Sequence, residues 1–187
     1  MTELLHVINS FQKLDEETEE AVKKYFVEEK FKRNEVIIEE GKVCDKVYFI
    51  QSGIIRRFSI DESIEVTKWI YTDNQFVTSM SSFFEQKPSF ESFQASEETT
   101  VYSLSFDDEQ ILLSYPLFSS FHLKLLRLYL SKINEFHHQF RLMSAQQKYL
   151  YLLKSFPQII RKAKLKDIAS LIGVSQETLS RIRASIT

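Results

Sequence analysis

The sequence lacks several features that define large classes of protein. Its single cysteine, Cys44, excludes a disulfide framework and cannot alone hold an iron–sulfur cluster or a structural zinc ion. No run of about 18 or more apolar residues is present, so no membrane-spanning helix is expected. The first residues carry no basic segment ahead of an apolar one, so a secretory leader is not expected either. Together these absences predict a cytoplasmic protein without a membrane partner.

Signatures of catalysis and of metal binding are also missing. The sequence has no glycine-rich GxGxxG segment, no phosphate-binding loop, no nucleophile elbow and no suitably spaced pair of carboxylates. His122, His137 and His138 fall on a predicted long helix. However, His122 and His138 are too far apart there to share an ion, and no carboxylate or cysteine completes a ligand set. We therefore expect no enzyme activity, no cofactor and no bound metal.

The charge is nearly balanced overall but unevenly distributed. The formal net charge is −2, from 24 basic and 26 acidic residues. Residues 161–187 carry six basic side chains and two acidic ones, whereas residues 1–40 carry eleven acidic and six basic ones. Because the attraction of phosphate depends on the local field, the C-terminal segment is the candidate for binding nucleic acid.

The spacing of apolar residues changes twice along the chain. Residues 3–29 have helical spacing, the period changes to two from about residue 31 to 105, and helical spacing returns afterwards. Several short strands close together predict an α+β fold with a compact antiparallel β-roll rather than βαβ units. The predicted strands are 36–38, 47–50, 54–60, 66–71, 90–95 and 100–104.

A long helix is predicted from about residue 117 to 142. Apolar residues recur along it at alternating spacings of three and four, a pattern typical of a seam that pairs with its copy in a second chain. The alternative is that this stripe packs on the roll of its own chain. We favour the homodimer interface, formed by Leu126, Tyr129, Ile133, Phe136, Phe140 and Met143.

The most specific pattern lies in residues 164–187. Apolar residues there suit two short helices that lock together. Ala169 is small at their crossing, Gly173 allows a left-handed turn, and Ser175 is a good N-cap. A plain amphipathic helix pair would not need these three placements together, so the pattern predicts a helix-turn-helix that binds DNA. Its predicted DNA-binding residues are Lys166, Ser175, Gln176, Glu177, Thr178, Ser180, Arg181 and Arg183.

At this point the layout resembles the family of the cAMP receptor protein and the fumarate–nitrate regulator. The resemblance covers nearly the whole chain. It rests on residues 31–53, on the helix after residue 116, and on Gly-Val-Ser-Gln-Glu-Thr-Leu-Ser-Arg-Ile at 173–182. It implies a homodimeric transcription regulator with an N-terminal cyclic-nucleotide-binding-like sensory roll. Double-stranded DNA with a pseudo-palindromic site is the expected partner, and RNA polymerase is a further candidate.

The resemblance also locates an effector pocket. In that family a Gly-Glu-Leu helix and, about ten residues later, an Arg-Ser pair hold the nucleotide. Its Glu binds the ribose hydroxyl and its Arg neutralises the phosphate. The register set by Phe76 and Ala95 places Ser79 at the Glu position and Ser89 at the Arg position. The corresponding pocket residues are Val77, Thr78, Ser79, Met80, Ser89 and Phe90.

Both charged anchors of that pocket are therefore missing. Burying a phosphate without a cation costs much free energy. The alternative cation, Lys87, adjoins Pro88 in a predicted exposed turn, where it would not be buried with the phosphate. We expect that the roll does not bind cAMP in the usual way, and that its effector is another small molecule or none.

The terminal motif also departs from the pattern of that family. Gln176 replaces the usual Arg, and the chain ends at Thr187, before the position of the family's β-hairpin wing.

These observations predict three parts: a sensory roll at 1–115, a dimerisation helix at 116–143, and a helix-turn-helix without a wing at 144–187. One competing hypothesis is a cyclic-nucleotide- or small-ligand-binding module that acts through protein partners. Another is a haem- or metal-dependent redox sensor, which the single cysteine disfavours.

Overall fold

The computed structural model describes residues 1–186, apart from the side chains of Glu135, His137 and Gln139. The last residue of the predicted helix-turn-helix and the His137 side chain of the candidate histidine set thus lie outside the described residues. The elements in chain order are α1 (Thr2–Phe11), α2 (Glu16–Tyr25), β1 (Val27–Phe31), β2 (Val36–Ile38), β3 (Lys46–Ser52), β4 (Ile55–Asp61), β5 (Ile64–Tyr71), β6 (Phe76–Val77), α3 (Met80–Glu85), β7 (Ser92–Ala95), β8 (Thr99–Ser105), α4 (Phe106–Leu112), α5 (Pro116–Leu142), α6 (Ala145–Ser155), α7 (Pro157–Lys162), α8 (Leu165–Ile172) and α9 (Gln176–Ala184).

Two four-stranded sheets form the roll. Their strand orders are β1-β8-β3-β6 and β2-β7-β4-β5, and the paired strands run antiparallel. Both sheets contribute to one apolar cluster between them, which includes Ile50 and Val101 from the first sheet and Ile55 and Phe93 from the second. The prediction of an antiparallel roll in an α+β fold is therefore confirmed.

The first strand corrects the sequence prediction at residues 27–29. These residues were expected to extend a helix, but they begin β1, which pairs with β8 from Val27 opposite Ser103. Glu28, Glu29 and Lys30 give this segment a helix-like composition, yet it is an edge strand, where charged side chains are common because one side faces solvent. Cross-strand pairing overrides the weak local preference. The short β6 was not anticipated either, whereas α3 begins where the family resemblance placed a short helix.

The N-terminal helices and the first half of α5 cover the first sheet. Leu4 and Ile8 of α1, Val22 of α2, and Phe118 and Phe121 of α5 are buried in one cluster with residues of that sheet. Asp15 starts α2 as expected, because its side chain accepts a hydrogen bond from the Thr18 amide at 2.9 Å.

The C-terminal helices cover the second sheet. Ile54 and Ile70 from that side of the roll are buried together with Phe140 of α5, Leu152 of α6 and Ile168 of α8. The helix pair with the predicted DNA motif is therefore packed on the roll rather than separated from it by a linker. No helix in the described part of the chain is long and apolar enough to cross a membrane.

Candidate functional site

The predicted helix pair is formed by α8 and α9. Gly173 follows α8 in the left-handed conformation, with φ 79° and ψ 38°. The amides of Gly173 and Val174 donate to the carbonyls of Ser170 and Ala169 at 3.1 and 3.0 Å, which closes the helix end. Ser175 caps α9 by accepting from the Thr178 amide at 3.2 Å. The turn therefore uses glycine and serine in the roles that their positions in the sequence suggested.

Burial separates the two sides of this helix pair. Ile168, Ala169, Leu171, Ile172 and Leu179 are buried at the contact between the helices and the rest of the protein. Of the predicted DNA-binding residues Thr178 is half-buried, and the others are exposed: Lys166, Ser175, Gln176, Glu177, Ser180, Arg181 and Arg183. The exposed side combines arginine donors with amide, hydroxyl and carboxylate groups, which are the groups that bind base edges and phosphates.

Glu177 lies in the first turn of α9, where the helix dipole favours a negative charge. A side-chain hydrogen bond from Ser175 is the main cause that lowers the pKa of the Glu177 carboxyl, and the charge of Arg181 adds to this effect. Glu177 is therefore an anion at neutral pH and can only accept hydrogen bonds there.

The two anchor positions of the predicted effector pocket lie in direct contact. The hydroxyl oxygens of Ser79 and Ser89 are 2.9 Å apart, and both residues are 2% exposed. Because the Ser89 hydroxyl donates to the Glu91 carbonyl at 2.7 Å, its oxygen accepts from the Ser79 hydroxyl and, at 3.2 Å, from the Glu91 amide. The place where the family resemblance puts a carboxylate and a guanidinium is thus occupied by a closed pair of serines.

The other predicted pocket residues divide into two groups. Val77 is buried, Met80 is half-buried, and the Thr78 hydroxyl donates to the Lys46 carbonyl at 3.0 Å. Phe90, in contrast, is 63% exposed, so the structure does not bring it into the interior of the roll with the serines. The Lys87 ammonium, considered as a replacement cation, is exposed and lies 2.7 Å from Glu85.

An ion pair near these serines was not anticipated from the sequence. Arg57 of β4 shares the inward face of its strand with Ile55, and its Nε lies 3.6 Å from Oε1 of Glu91, two residues after Ser89. Burial raises the pKa of the Glu91 carboxyl, while the charge of Arg57 opposes that rise. The signal in the sequence was the pair of arginines, Arg56 and Arg57, between the apolar residues Ile55 and Phe58 of one strand.

Four residues of the predicted seam on α5 contact their own chain. The Tyr129 hydroxyl donates to the Phe76 carbonyl at 2.8 Å. Phe136 stacks on Phe140 with ring centroids 4.5 Å apart, and it meets Trp69 edge-on at 4.7 Å. Met143 packs in the same cluster. For these residues the structure shows the alternative arrangement, in which the stripe packs on its own roll.

The remaining two seam residues belong to a different stripe of α5. Leu126 is half-buried and Ile133 is 41% exposed, and neither packs in the three buried clusters found among the described residues. Leu123 and Leu130 are 49% and 65% exposed and extend the same spacing of three and four. We call this set, Leu123, Leu126, Leu130 and Ile133, the outer stripe of α5.

The histidines do not form a metal site among the described side chains. No group of three or more histidine, cysteine, aspartate or glutamate residues there could hold an ion. His122 lies with Nε2 3.2 Å from Oε1 of the buried Glu109, and His138 is exposed.

Comparison with known proteins supports the description of the roll. Residues 28–114 match the family model of the cyclic nucleotide-binding domain. This span includes almost all of both sheets together with α3 and α4, so this part of the chain has the fold of that domain, with antiparallel sheets and flanking helices. No curated protein matches the sequence.

Solved structures resemble the chain over nearly its whole length. The catabolite activator protein of Thermus thermophilus is 22% identical, with a TM-score of 0.56 over 94% of this chain and 85% of that one. The c-di-GMP-responsive global regulator CLP of Xanthomonas campestris is 15% identical, with a TM-score of 0.65 and coverages of 92% and 91%. A CooA mutant from Carboxydothermus hydrogenoformans is 19% identical, with a TM-score of 0.69 and coverages of 97% and 83%. At these identities the likeness shows the fold alone.

Proposed function

We propose that the protein is a homodimeric, sequence-specific DNA-binding transcription regulator without enzyme activity. The observation that carries this proposal is the exposed side of α9. Gln176, Glu177 and Arg181 are exposed there, while Gly173 and Ser175 form the turn between α8 and α9, as a helix-turn-helix would require. An arginine suits bidentate contact with guanine, a carboxylate accepts from cytosine, and an amide suits adenine.

The structural neighbours support the same function. The likeness to the catabolite activator protein and to CLP, which is described as a global regulator linked to virulence gene expression, extends over 94% and 92% of this chain. These spans reach beyond the roll into the C-terminal helices. We accordingly propose a sensory roll at 1–115, a dimerisation helix at 116–143 and a DNA-binding unit from residue 144, acting in the cytoplasm, with RNA polymerase as a candidate partner.

Dimerisation is proposed through the outer stripe of α5. This stripe has the spacing of a two-helix seam, and its described members lie outside the buried clusters of the chain. Pairing of two α5 helices would place two α9 helices side by side, as a pseudo-palindromic site with half-sites about one DNA turn (roughly 34 Å) apart requires.

The roll is proposed to sense something other than cAMP. A cyclic nucleotide needs a buried positive charge for its phosphate, and at the corresponding position Ser89 is hydrogen-bonded to Ser79. The effector is therefore a different small molecule or none.

Selection of duplexes from a random pool by the purified protein tests the function. We expect enrichment of a pseudo-palindrome with half-site centres about 10 base pairs apart, and binding that weakens steeply with salt. Failure to enrich any sequence, together with tight binding of a cyclic nucleotide, would instead support a ligand-binding module that acts through protein partners.

A further inference from the structure

The contact between the roll and the helix pair is made largely by α8. Ile54 and Ile70 of the roll are buried with Ile168 and Ile172 of α8 in one cluster. The Thr67 amide of β5 donates to the Ser170 hydroxyl at 2.9 Å. The DNA-facing side chains of α9 remain exposed in this arrangement, so the roll holds the helix pair without covering its outward side.

A buried ion pair lies within this contact. Arg56 of β4 is 5% exposed and Asp167, in the first turn of α8, is 3% exposed, with Nη1 and Oδ1 3.5 Å apart. The other terminal nitrogen of Arg56 donates to Glu65 at 2.6 Å and to Gln94 at 3.0 Å. One guanidinium thus connects three strands of the sheet to the start of α8.

Net stability is a poor explanation for this pair. Removing two charges from water costs about as much as their attraction returns, and well-packed apolar residues often replace such a pair without loss. Removing one partner is different, because it leaves the other charge buried and uncompensated. What a planar guanidinium with several fixed donors does supply is orientation, since its partners must meet it in one geometry.

We propose that Arg56 and Asp167 are positioning residues for DNA binding: they hold α8 on the roll in the orientation from which α9 meets DNA. This inference rests on the proposed function. A docked helix pair loses less conformational freedom on binding than a mobile one, so the contact raises DNA affinity by preorganisation. An autoinhibitory contact would do the opposite, and release of α8 would then increase affinity.

The test uses the intact protein and the duplex selected above. Arg56→Met leaves Asp167 and Glu65 without the shared cation, and we expect the affinity for that duplex to fall about tenfold or more. Lys46→Met is the matched control. It breaks an ion pair with Glu29 on the other sheet, where the Nζ–Oε1 distance is 2.9 Å, and should leave the affinity unchanged.

A double variant separates positioning from a general loss of stability. Arg56→Met with Asp167→Leu replaces the pair by apolar residues, so α8 should dock again and the affinity should recover to within about threefold of the parent. Docking is measured directly as the distance between two spin labels, attached to cysteines introduced at the exposed Glu39 and Ser185. Labelled chains are diluted with unlabelled ones, so that both labels of a measured pair lie on the same chain. The distance distribution should broaden in Arg56→Met and narrow again in the double variant.

The outcomes are distinguishable. Higher or unchanged affinity in Arg56→Met, or a double variant that docks again without recovering affinity, overturns the positioning role. If the parent binds no duplex, the proposed function fails instead, and the distances still show whether Arg56 holds α8. Should Arg56→Met not fold, Arg56→Lys keeps the charge but lacks the fork of donors. The positioning role then requires weaker binding and a broader distance distribution than in the parent, and parent-like values in both overturn it.

Discussion

The Ser79 hydroxyl donates a hydrogen bond to the Ser89 hydroxyl in the interior of the roll, and the two oxygens are 2.9 Å apart. The family resemblance places the ribose-binding glutamate and the phosphate-binding arginine at these two positions. The contact leaves no gap between them, and Arg57, which enters the same interior from β4, already faces Glu91. The fold of a cyclic nucleotide-binding domain is thus retained here without the charges that bind the nucleotide.

We therefore predict that cAMP and cGMP produce no binding heat in calorimetry up to about millimolar concentration, because Ser89 occupies the phosphate-binding position and the guanidinium of Arg57 already faces Glu91. Neither nucleotide should raise the melting temperature, as any ligand that binds only the folded state would. Micromolar binding of either one would show that our interpretation of the serine pair is wrong.

The second prediction concerns Arg181. In the proposed function its exposed side chain on α9 contacts a base edge, so Arg181→Ala should lose about 1–3 kcal/mol of binding free energy on the selected duplex and relax specificity at one base pair. Titration of labelled duplexes that differ at single positions measures both effects. Arg127→Ala is the control, because it removes the same charge from an exposed position on α5. If the two variants bind every duplex alike, Arg181 does not contact a base.

Local signals predicted the helix pair well because they are short in range. Gly173 and Ser175 act on residues within one turn of themselves, so their identity alone defines the end of α8 and the start of α9. The antiparallel roll was also predictable, because the period of two recurs over several strands.

Longer-range relationships were beyond such signals. The heptad-like spacing on α5 identifies an apolar helix face, but spacing alone does not say whether Phe136 and Phe140 meet Trp69 of the same chain or a second chain. The Arg56–Asp167 pair joins residues 111 positions apart, and the charge pattern of either segment alone does not reveal it. The Arg57–Glu91 pair is hidden for the same reason.

The two faces of α5 give a prediction about assembly. Leu130 is 65% exposed in the outer stripe, so Leu130→Glu should leave the folded chain intact. It should convert the proposed dimer into monomers, because it would bury a charge at the proposed seam. Light scattering after size exclusion measures the mass. Leu153→Glu, at a 40% exposed leucine on α6, is the control and should leave the dimer unchanged.

Phe140→Ala provides the contrasting variant for α5. Its ring is 8% exposed and stacks on Phe136, so its loss should lower the free energy of unfolding by about 3–5 kcal/mol without changing the mass of the folded species. Monomers formed by Phe140→Ala but not by Leu130→Glu would place the dimer seam on the face predicted from the sequence.

The last prediction uses the directions of two pKa shifts in the helix pair α8 and α9. Burial raises the pKa of Asp167 above its ordinary value of 3.8, although Arg56 opposes the rise. At pH values just above 3.8, Asp167 keeps its proton in the folded protein but has released it in the unfolded chain. Stability due to this group is therefore lost as the pH rises through that window. The unfolding free energy of the parent minus that of Asp167→Asn, measured by urea denaturation, should decrease as the pH rises above about 3.8.

For Glu177→Gln the difference in unfolding free energy should change with pH in the opposite direction. The Ser175 hydrogen bond lowers the pKa of Glu177 below its ordinary value of 4.5, so the folded protein releases this proton first. Stability due to Glu177 is present above that ordinary value and is lost as the pH falls through the lowered one. The unfolding free energy of the parent minus that of Glu177→Gln should accordingly increase as the pH rises toward about 4.5. Both carboxylates lie in the first turn of a helix, Asp167 buried against the roll and Glu177 exposed. Opposite dependences of stability on pH would therefore separate the effect of burial from that of the helix N-terminus. Slopes of the same sign would show that burial does not dominate the pKa of Asp167 in solution.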